Sequence, residues 1–380
     1  MIFPVSPGAD ADSFIQLASN CVNNSFPFHC GSSVRPIGII FYYAMLVKLF
    51  PDMVRLSYVI LLLNLFYIFG IYFIVNKLFN KNNHVSTSLY LFFIVAINLV
   101  CLLPVSMSDL IALFMFFLGT YLILEKVNLA ISSSRNNWYI FCSGLLFALA
   151  CLFKQNYGIF GIVVAFILLC FNLNKEHGLL HNKIAFIKRI LFFILGFSLV
   201  LLQVGAIVYK FHIVGLFVPF PVPNHQPFIE MVAYYNVINP IHDYPPGYYY
   251  TMLDRHVNQV FFYVYKIIYG LSHTDLMIYH GDRPTSTNIV NIDISDYFKV
   301  FLYLLVFAVM GILLFINNKI AEYYKILFIA ALLISLVISL TFHVENRYYV
   351  LPRILLFSLF IPILQHVKYL FTKGKLSNEH

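Results

Sequence analysis

Two carboxylates, Asp10 and Asp12, stand in a short polar segment that leads through Arg35-Pro36 into strongly apolar sequence. A chain built for lipid gains no stability from acids beside its first apolar stretch, so the spacing Asp10-x3-Phe14-x3-Ala18 invites a functional explanation; the plain alternative is a solvated loop. Further along, Lys154 separates two apolar runs, with Gln155 and Asn156 beside it. A lysine at mid-membrane costs roughly 2.5–3.5 kcal/mol unless it meets an anion or water. It therefore either caps the turn and snorkels to phospholipid headgroups, or serves as a phosphate ligand, a point charge with three donors. Asp109 closes the run Pro104-Val-Ser-Met-Ser-Asp109, where Ser106, Ser108 or Asp109 itself suits a helix N-cap. His343, Glu345, Arg347 and Tyr348 form a polar group before the last apolar run. There a Glu–Arg pair is the ordinary reading, and Arg347 as a second phosphate ligand is the other. Arg35 sits at the edge of an apolar helix whose first turn accepts Pro36.

The elements that must position these groups follow from composition. The 380 residues are 61% hydrophobic and 11% charged, with 40 Phe and 27 Tyr, and the mean hydropathy is +0.83. Apolar runs close to 20 residues are the length that crosses a bilayer. Backbone groups in lipid must be satisfied within a helix or a closed barrel, and runs of this kind mean helices. The fold class expected is all-α, a polytopic integral membrane protein of about 9–11 transmembrane helices. The net charge of +8 is scattered between apolar segments rather than gathered on a polar domain, which argues against nucleic acid and for topology signals. The six cysteines show no CxxC and no Cys/His spacing for zinc, and Asp10 and Asp12 alone are too few ligands for a divalent ion; neither metal nor cofactor is expected. Cys21 and Cys30 suit a disulfide if their segment lies in an oxidising compartment.

The clearest spans are 56–76, 85–104, 109–125, 137–153, 157–173, 190–209, 297–316, 326–342 and 350–366, while 35–50 is short for a crossing. The positive-inside rule places Lys77 and Lys81, Lys126 and Arg135, Lys175 to Arg189, Lys319 and Lys325, and Lys368 to Lys375 in the cytoplasm. The loop before Asp109, the Lys154-Gln155 turn, the stretch 210–296 and the Glu345-Asn346-Arg347 turn then face outward. Three regions result: 1–209, a transmembrane module with an acidic outer loop over 1–34; 210–296, an outer loop; and 297–380, C-terminal helices with a basic tail. The middle region is rich in proline and tyrosine. Its Val257 to Leu271 run suits an interfacial helix, and Tyr234, Tyr235, Tyr244 and Tyr248 to Tyr250 suit an interface belt or a sugar platform. The start Met1-Ile2-Phe3-Pro4 has no basic n-region, so no cleavable signal peptide is expected.

Taken in order, Asp10-x3-Phe14-x3-Ala18, Arg35-Pro36-x-Gly38, Pro104 to Asp109, Ala148 to Lys154-Gln155, and Glu345-Asn-Arg347-Tyr348 with Pro352 resemble the GT-C membrane glycosyltransferases. That superfamily includes protein O-mannosyltransferases and aminoarabinose–lipid A transferases, and the resemblance covers about residues 10 to 360. It implies transfer of a sugar from a polyprenyl-phosphate donor to a lipid, glycan or protein acceptor on the outer face of the membrane, with inversion at the anomeric carbon. It implies Asp10 as base with Asp12 as its fallback, Lys154, Arg347 and Arg35 on the donor phosphate, and Asp109, Gln155 and Tyr348 on substrate. Phe14 occupies the place of the family's usual tyrosine. The family also places a helix ahead of the acidic loop, whereas nine residues precede Asp10 here. The residue usage fits an AT-rich bacterial genome and hence the inner membrane. Two other classes compete: an O-antigen-type polymerase or ligase, which needs paired basic positions in outer loops, and a transporter, which needs charges deep in its spans.

Overall fold

The computed structural model describes residues 9–23, 37–103, 108–126, 134–171, 186–200, 264, 267–268, 270–271, 294–316, 320–341 and 346–377. The described chain is all-helical and contains no strand. In order come α1 (Ala9–Asn23), α2 (Ile37–Leu49), α3 (Met53–Phe79), α4 (Val85–Leu99), α5 (Asp109–Tyr121), α6 (Ser134–Phe153), α7 (Gln155–Phe171) and α8 (186–200). Then follow α9 (Ile294–Ile316), α10 (Glu322–Thr341), a 3-10 turn (Asn346–Tyr349), α11 (Val350–Ser358) and α12 (Phe360–Ser377).

Four helical segments are long and apolar enough to cross a membrane: Met53–Phe79, Asn136–Phe153, Glu322–Ser339 and Val350–Lys368. They coincide with four of the nine expected spans and suggest membrane association. Gly38–Leu49, Val85–Leu99, Asp109–Leu124, Phe160–Leu169 and Phe301–Ile316 are apolar but shorter. Burial along α3 explains why composition carries this reading. Tyr58, Leu62, Phe66, Phe69 and Phe73 follow one another at helical spacing and are all exposed, a stripe that water would penalise and lipid would accept.

The chain forms two compact units, one of residues Met1–Leu78 with Leu99–Pro221, the other of Phe79–Asn98 with Val222–His380. Thus α4 groups with the C-terminal helices, apart from the 1–209 module expected from the sequence. The Tyr90 hydroxyl of α4 donates to the Phe357 carbonyl of α11 at 3.2 Å.

In the first unit, the segment read as an acidic outer loop over 1–34 contains a helix. Phe14, Ala18 and Cys21 repeat at i, i+4 and i+7 and are buried against Ile39, Ile40, Tyr43 and Ala44 of α2 and Leu56 and Ile60 of α3. Gln16, Asn20 and Asn23 stay exposed. This amphipathic pattern makes α1 a docked helix, with the rings of Phe14 and Tyr43 stacked 6.3 Å apart. Cys21 is disulfide-bonded; Cys30 lies outside the described residues.

In the second unit, the turn after α3 is fixed by Asn80. Its side-chain amide donates to the His84 carbonyl at 2.9 Å and to the Ser88 hydroxyl at 2.8 Å, while its carbonyl accepts from the His84 amide at 2.9 Å. Beside this turn Lys81 lies over the Tyr323 ring at 5.6 Å, and desolvation holds its pKa below the ordinary lysine value. At another point of the unit, a methyl on Gly270 would lie 2.4 Å or less from Tyr349 ring atoms, so Gly270 presses on that ring. Most of the expected interfacial helix 257–271 lies outside the described residues, though positions 264, 267, 268, 270 and 271 are helical.

Candidate functional site

The site is assembled at one end of the α5, α6 and α7 group. α6 and α7 are separated by Lys154 alone, with the Lys154 amide bonded to the Ala150 carbonyl at 2.8 Å and the Tyr157 amide to the Lys154 carbonyl at 3.1 Å. The two helices fold back on each other because Gly158 and Gly161 present no side chain. A methyl on Gly158 would lie 2.8 Å from the Cys151 Cα and from the Phe147 carbonyl, and one on Gly161 would strike the Phe147 ring. The pairs 151 with 158 and 147 with 161 are centred on Lys154, which therefore sits at the tip of a helical hairpin.

α5 lies antiparallel to α6. The Ser143 hydroxyl donates to the Gly119 carbonyl at 2.9 Å, and the rings of Phe116 and Phe147 are 5.6 Å apart. Continuing that register ten residues back along α5 and eleven forward along α6 brings Asp109 to Lys154. The contact is made: Lys154 Nζ donates to Asp109 Oδ1 in a buried ion pair. The two side chains differ in access, Asp109 being 1% exposed and Lys154 14%. The ammonium also lies over the Tyr157 ring at 5.9 Å.

Both charges are placed where helix dipoles favour them, Asp109 in the first turn of α5 and Lys154 after the last turn of α6. Ser108 occupies the N-cap but makes no side-chain cap bond, so of the three cap candidates the aspartate carries the charge at this helix start. Its second oxygen, Oδ2, is buried without a hydrogen-bond partner. An orphaned buried acceptor costs on the order of 1–3 kcal/mol, and a buried pair is itself weak evidence for stability. Such a pair is better explained by what it positions.

The pair lies below the end of α3. The Asn64 amide donates to the Leu103 carbonyl at 2.9 Å, and a methyl on Gly70 would lie 2.5 Å from the Phe114 ring. The start of α5 is therefore level with about Asn64. That is eleven residues from Met53, or about 16 Å along the helix at 1.5 Å per residue. α2 borders the same region. A methyl on Gly38 would lie 2.6 Å from the Leu152 carbonyl, and the Tyr42 ring meets Phe153 edge-on at 5.9 Å. Contacts thus run from α1 through Phe14, Tyr43, Tyr42 and Phe153 to the residue beside Lys154.

Of the sequence-derived site residues, the structure brings Lys154 and Asp109 together. The sequence reading gave these two separate duties and paired neither with the other. Asp10 and Asp12 are in the first turn of α1, and Gln155 opens α7; their side chains lie outside the described residues. So does Arg35 entirely. Arg347 belongs to the 3-10 turn of the second unit, its side chain again outside the description, and Tyr348 beside it is half-buried. The suggested Glu345–Arg347 pair cannot be placed, Glu345 being outside the described residues. Among the described residues no group of three His, Cys, Asp or Glu side chains is placed to hold a metal.

Sequence reasoning passed over the residues that set this geometry: Gly158-x2-Gly161 behind Lys154, whose spacing is a signal for close helix packing, and Asn64 within α3. It also passed over Arg353. That arginine is four residues into the candidate span Val350–Lys368 and fully buried, so the spans are less free of charge than their overall composition suggests. In comparisons with family models, curated proteins and solved structures, nothing matches the chain.

Proposed function

We propose that the chain is an integral membrane glycosyltransferase, placed in a bacterial inner membrane, that transfers a sugar from a polyprenyl-phosphate donor to a glycolipid, polysaccharide or protein acceptor at the outer face. The observation that carries this reading is the Asp109–Lys154 pair at a recessed helix end. It holds a partly accessible cation beside a buried carboxylate, and a cation with access is what binding a lipid-borne phosphate would require. The order of motifs shared with the GT-C enzymes supports the same reading.

The proposed sidedness has support of its own. Lys81 rests on Tyr323 and Gly270 on Tyr349, and each contact joins two connections that the distribution of basic residues assigns to a single side of the membrane. Asp109 and Lys154 make a third such junction within the first unit. The disulfide at Cys21 suits an α1 on the oxidising side.

In the proposed reaction the acceptor hydroxyl attacks the anomeric carbon as Asp10 takes its proton, with Asp12 as the alternative base in the same helix. An ordinary aspartate, pKa about 3.9, is ionised at neutral pH and helps late in bond formation and by orientation. The departing phosphate gains negative charge, which Lys154 and Arg35 would stabilise more strongly in the transition state than in the bound donor. Gln155 would contact the substrate. The test is sugar transfer by purified protein in nanodiscs from a polyprenyl-phosphate sugar. Loss of transfer in Asp10→Asn or Asp12→Asn is expected, and full activity in both would remove the proposed base.

A further inference from the structure

Resting on that reading, we infer that Asp109 is a positioning residue that tempers Lys154 so that the spent lipid carrier leaves. Three observations carry it. Asp109 is buried while Lys154 retains access. Only one carboxylate oxygen of Asp109 is bonded, the other being buried without a partner. The register of α5 on α6 holds the pair in place from a contact ten residues away on α5 and eleven on α6. An aspartate so enclosed does not meet substrate; it acts through the lysine.

The chemistry of the donor supplies the reason for such a device. A polyprenyl-phosphate sugar is a phosphodiester with one negative charge. In transfer the bond between the anomeric carbon and the phosphate oxygen breaks, its electron pair stays on the phosphate, and the acceptor oxygen bonds to the carbon and gives up its proton to the base. The carrier is now a phosphomonoester with a second pKa of about 6 and so close to two charges at neutral pH. A lysine without a counter-ion would hold this product more tightly than the donor and release would limit turnover. A fixed carboxylate next to the ammonium weakens both complexes, and weakens that of the more highly charged product more.

A unit charge about 6 Å from a singly charged phosphate, at an effective dielectric of about 20, corresponds to roughly a hundredfold in affinity, of which screening at the accessible lysine leaves about tenfold or more. Asp109→Asn, which keeps shape and a bond to Lys154, is therefore expected to bind polyprenyl phosphate at least about tenfold tighter than the wild type. Its KM for the donor should fall by less, and kcat should fall with a burst of first-turnover product. Asp109→Glu, which retains the charge, should restore wild-type product release. If Asp109→Asn yields no folded protein, Asp109→Ser is measured in its place. Equal or weaker binding of polyprenyl phosphate by the folded neutral variant, with no burst, would overturn the role of Asp109. Failure of the wild type itself to bind polyprenyl phosphate or transfer sugar would instead overturn the glycosyltransferase reading, and the two failures are distinguished by the wild-type measurement alone.

Discussion

Replacing Lys154 with methionine removes the ammonium from a carboxylate that is 1% exposed and already has one oxygen without a partner. Breaking a buried pair by deleting one member costs about 3–5 kcal/mol, because the remaining charge is desolvated and uncompensated. The opposite replacement, Asp109→Asn, leaves a lysine that is 14% exposed and faces the Tyr157 ring. It can take up water and still bond the amide oxygen, so the expected cost is about 1–2 kcal/mol. The double variant removes both charges and should be more stable than Lys154→Met alone, giving an interaction energy of about 2 kcal/mol or more. Unfolding in mixed micelles at fixed detergent composition, followed for all four proteins, measures the cycle. Two results would refute the reasoning: additivity within about 0.5 kcal/mol, or a larger loss in Asp109→Asn than in Lys154→Met.

Gly158→Ala is expected to destabilise by about 1–3 kcal/mol through overpacking against Cys151 and the Phe147 carbonyl, read in the same unfolding assay, and to weaken donor binding by displacing the hairpin tip. Phe14→Ala should cost about 3–5 kcal/mol and leave α1 open to proteolysis, since Phe14 anchors that helix on Tyr43; unchanged protease resistance would count against its docking. Arg353→Met removes a fully buried cation that is engaged with other groups and should cost about 3 kcal/mol or more, visible as lost yield and early unfolding. For sidedness, Asn82→Cys in a background without other reactive cysteines should be labelled by an impermeant maleimide only in inverted or permeabilised membranes. Labelling of intact cells would reverse the proposed topology.

Legibility from sequence followed the range of the interactions concerned. Helix type and the positions of the apolar segments are local properties, and all nine expected spans overlap described helices. The hairpin around Lys154 was also marked locally, by a polar residue between two apolar runs. The N-terminal segment misled for a physical reason. The polar residues Asp10, Asp12, Gln16 and Asn20 suggest a loop, yet Phe14, Ala18 and Cys21 line one face and bury against α2. The Phe14-x3-Ala18 part of the motif is also the spacing of that buried face.

By itself, the sequence determined that the chain is helical, apolar over lengths comparable to a bilayer, and basic at alternate connections, because hydropathy, helix length and charge placement act within a few turns. Only the tertiary structure decided that Lys154 has Asp109 for its counter-ion, 45 residues away. That pairing depends on the close approach that Gly158 and Gly161 permit and on the antiparallel register set between Gly119 and Ser143. Neither residue carries the information alone, since whether a lysine between two apolar helices meets phosphate, water or a carboxylate is settled by what packing brings within a few ångströms of it.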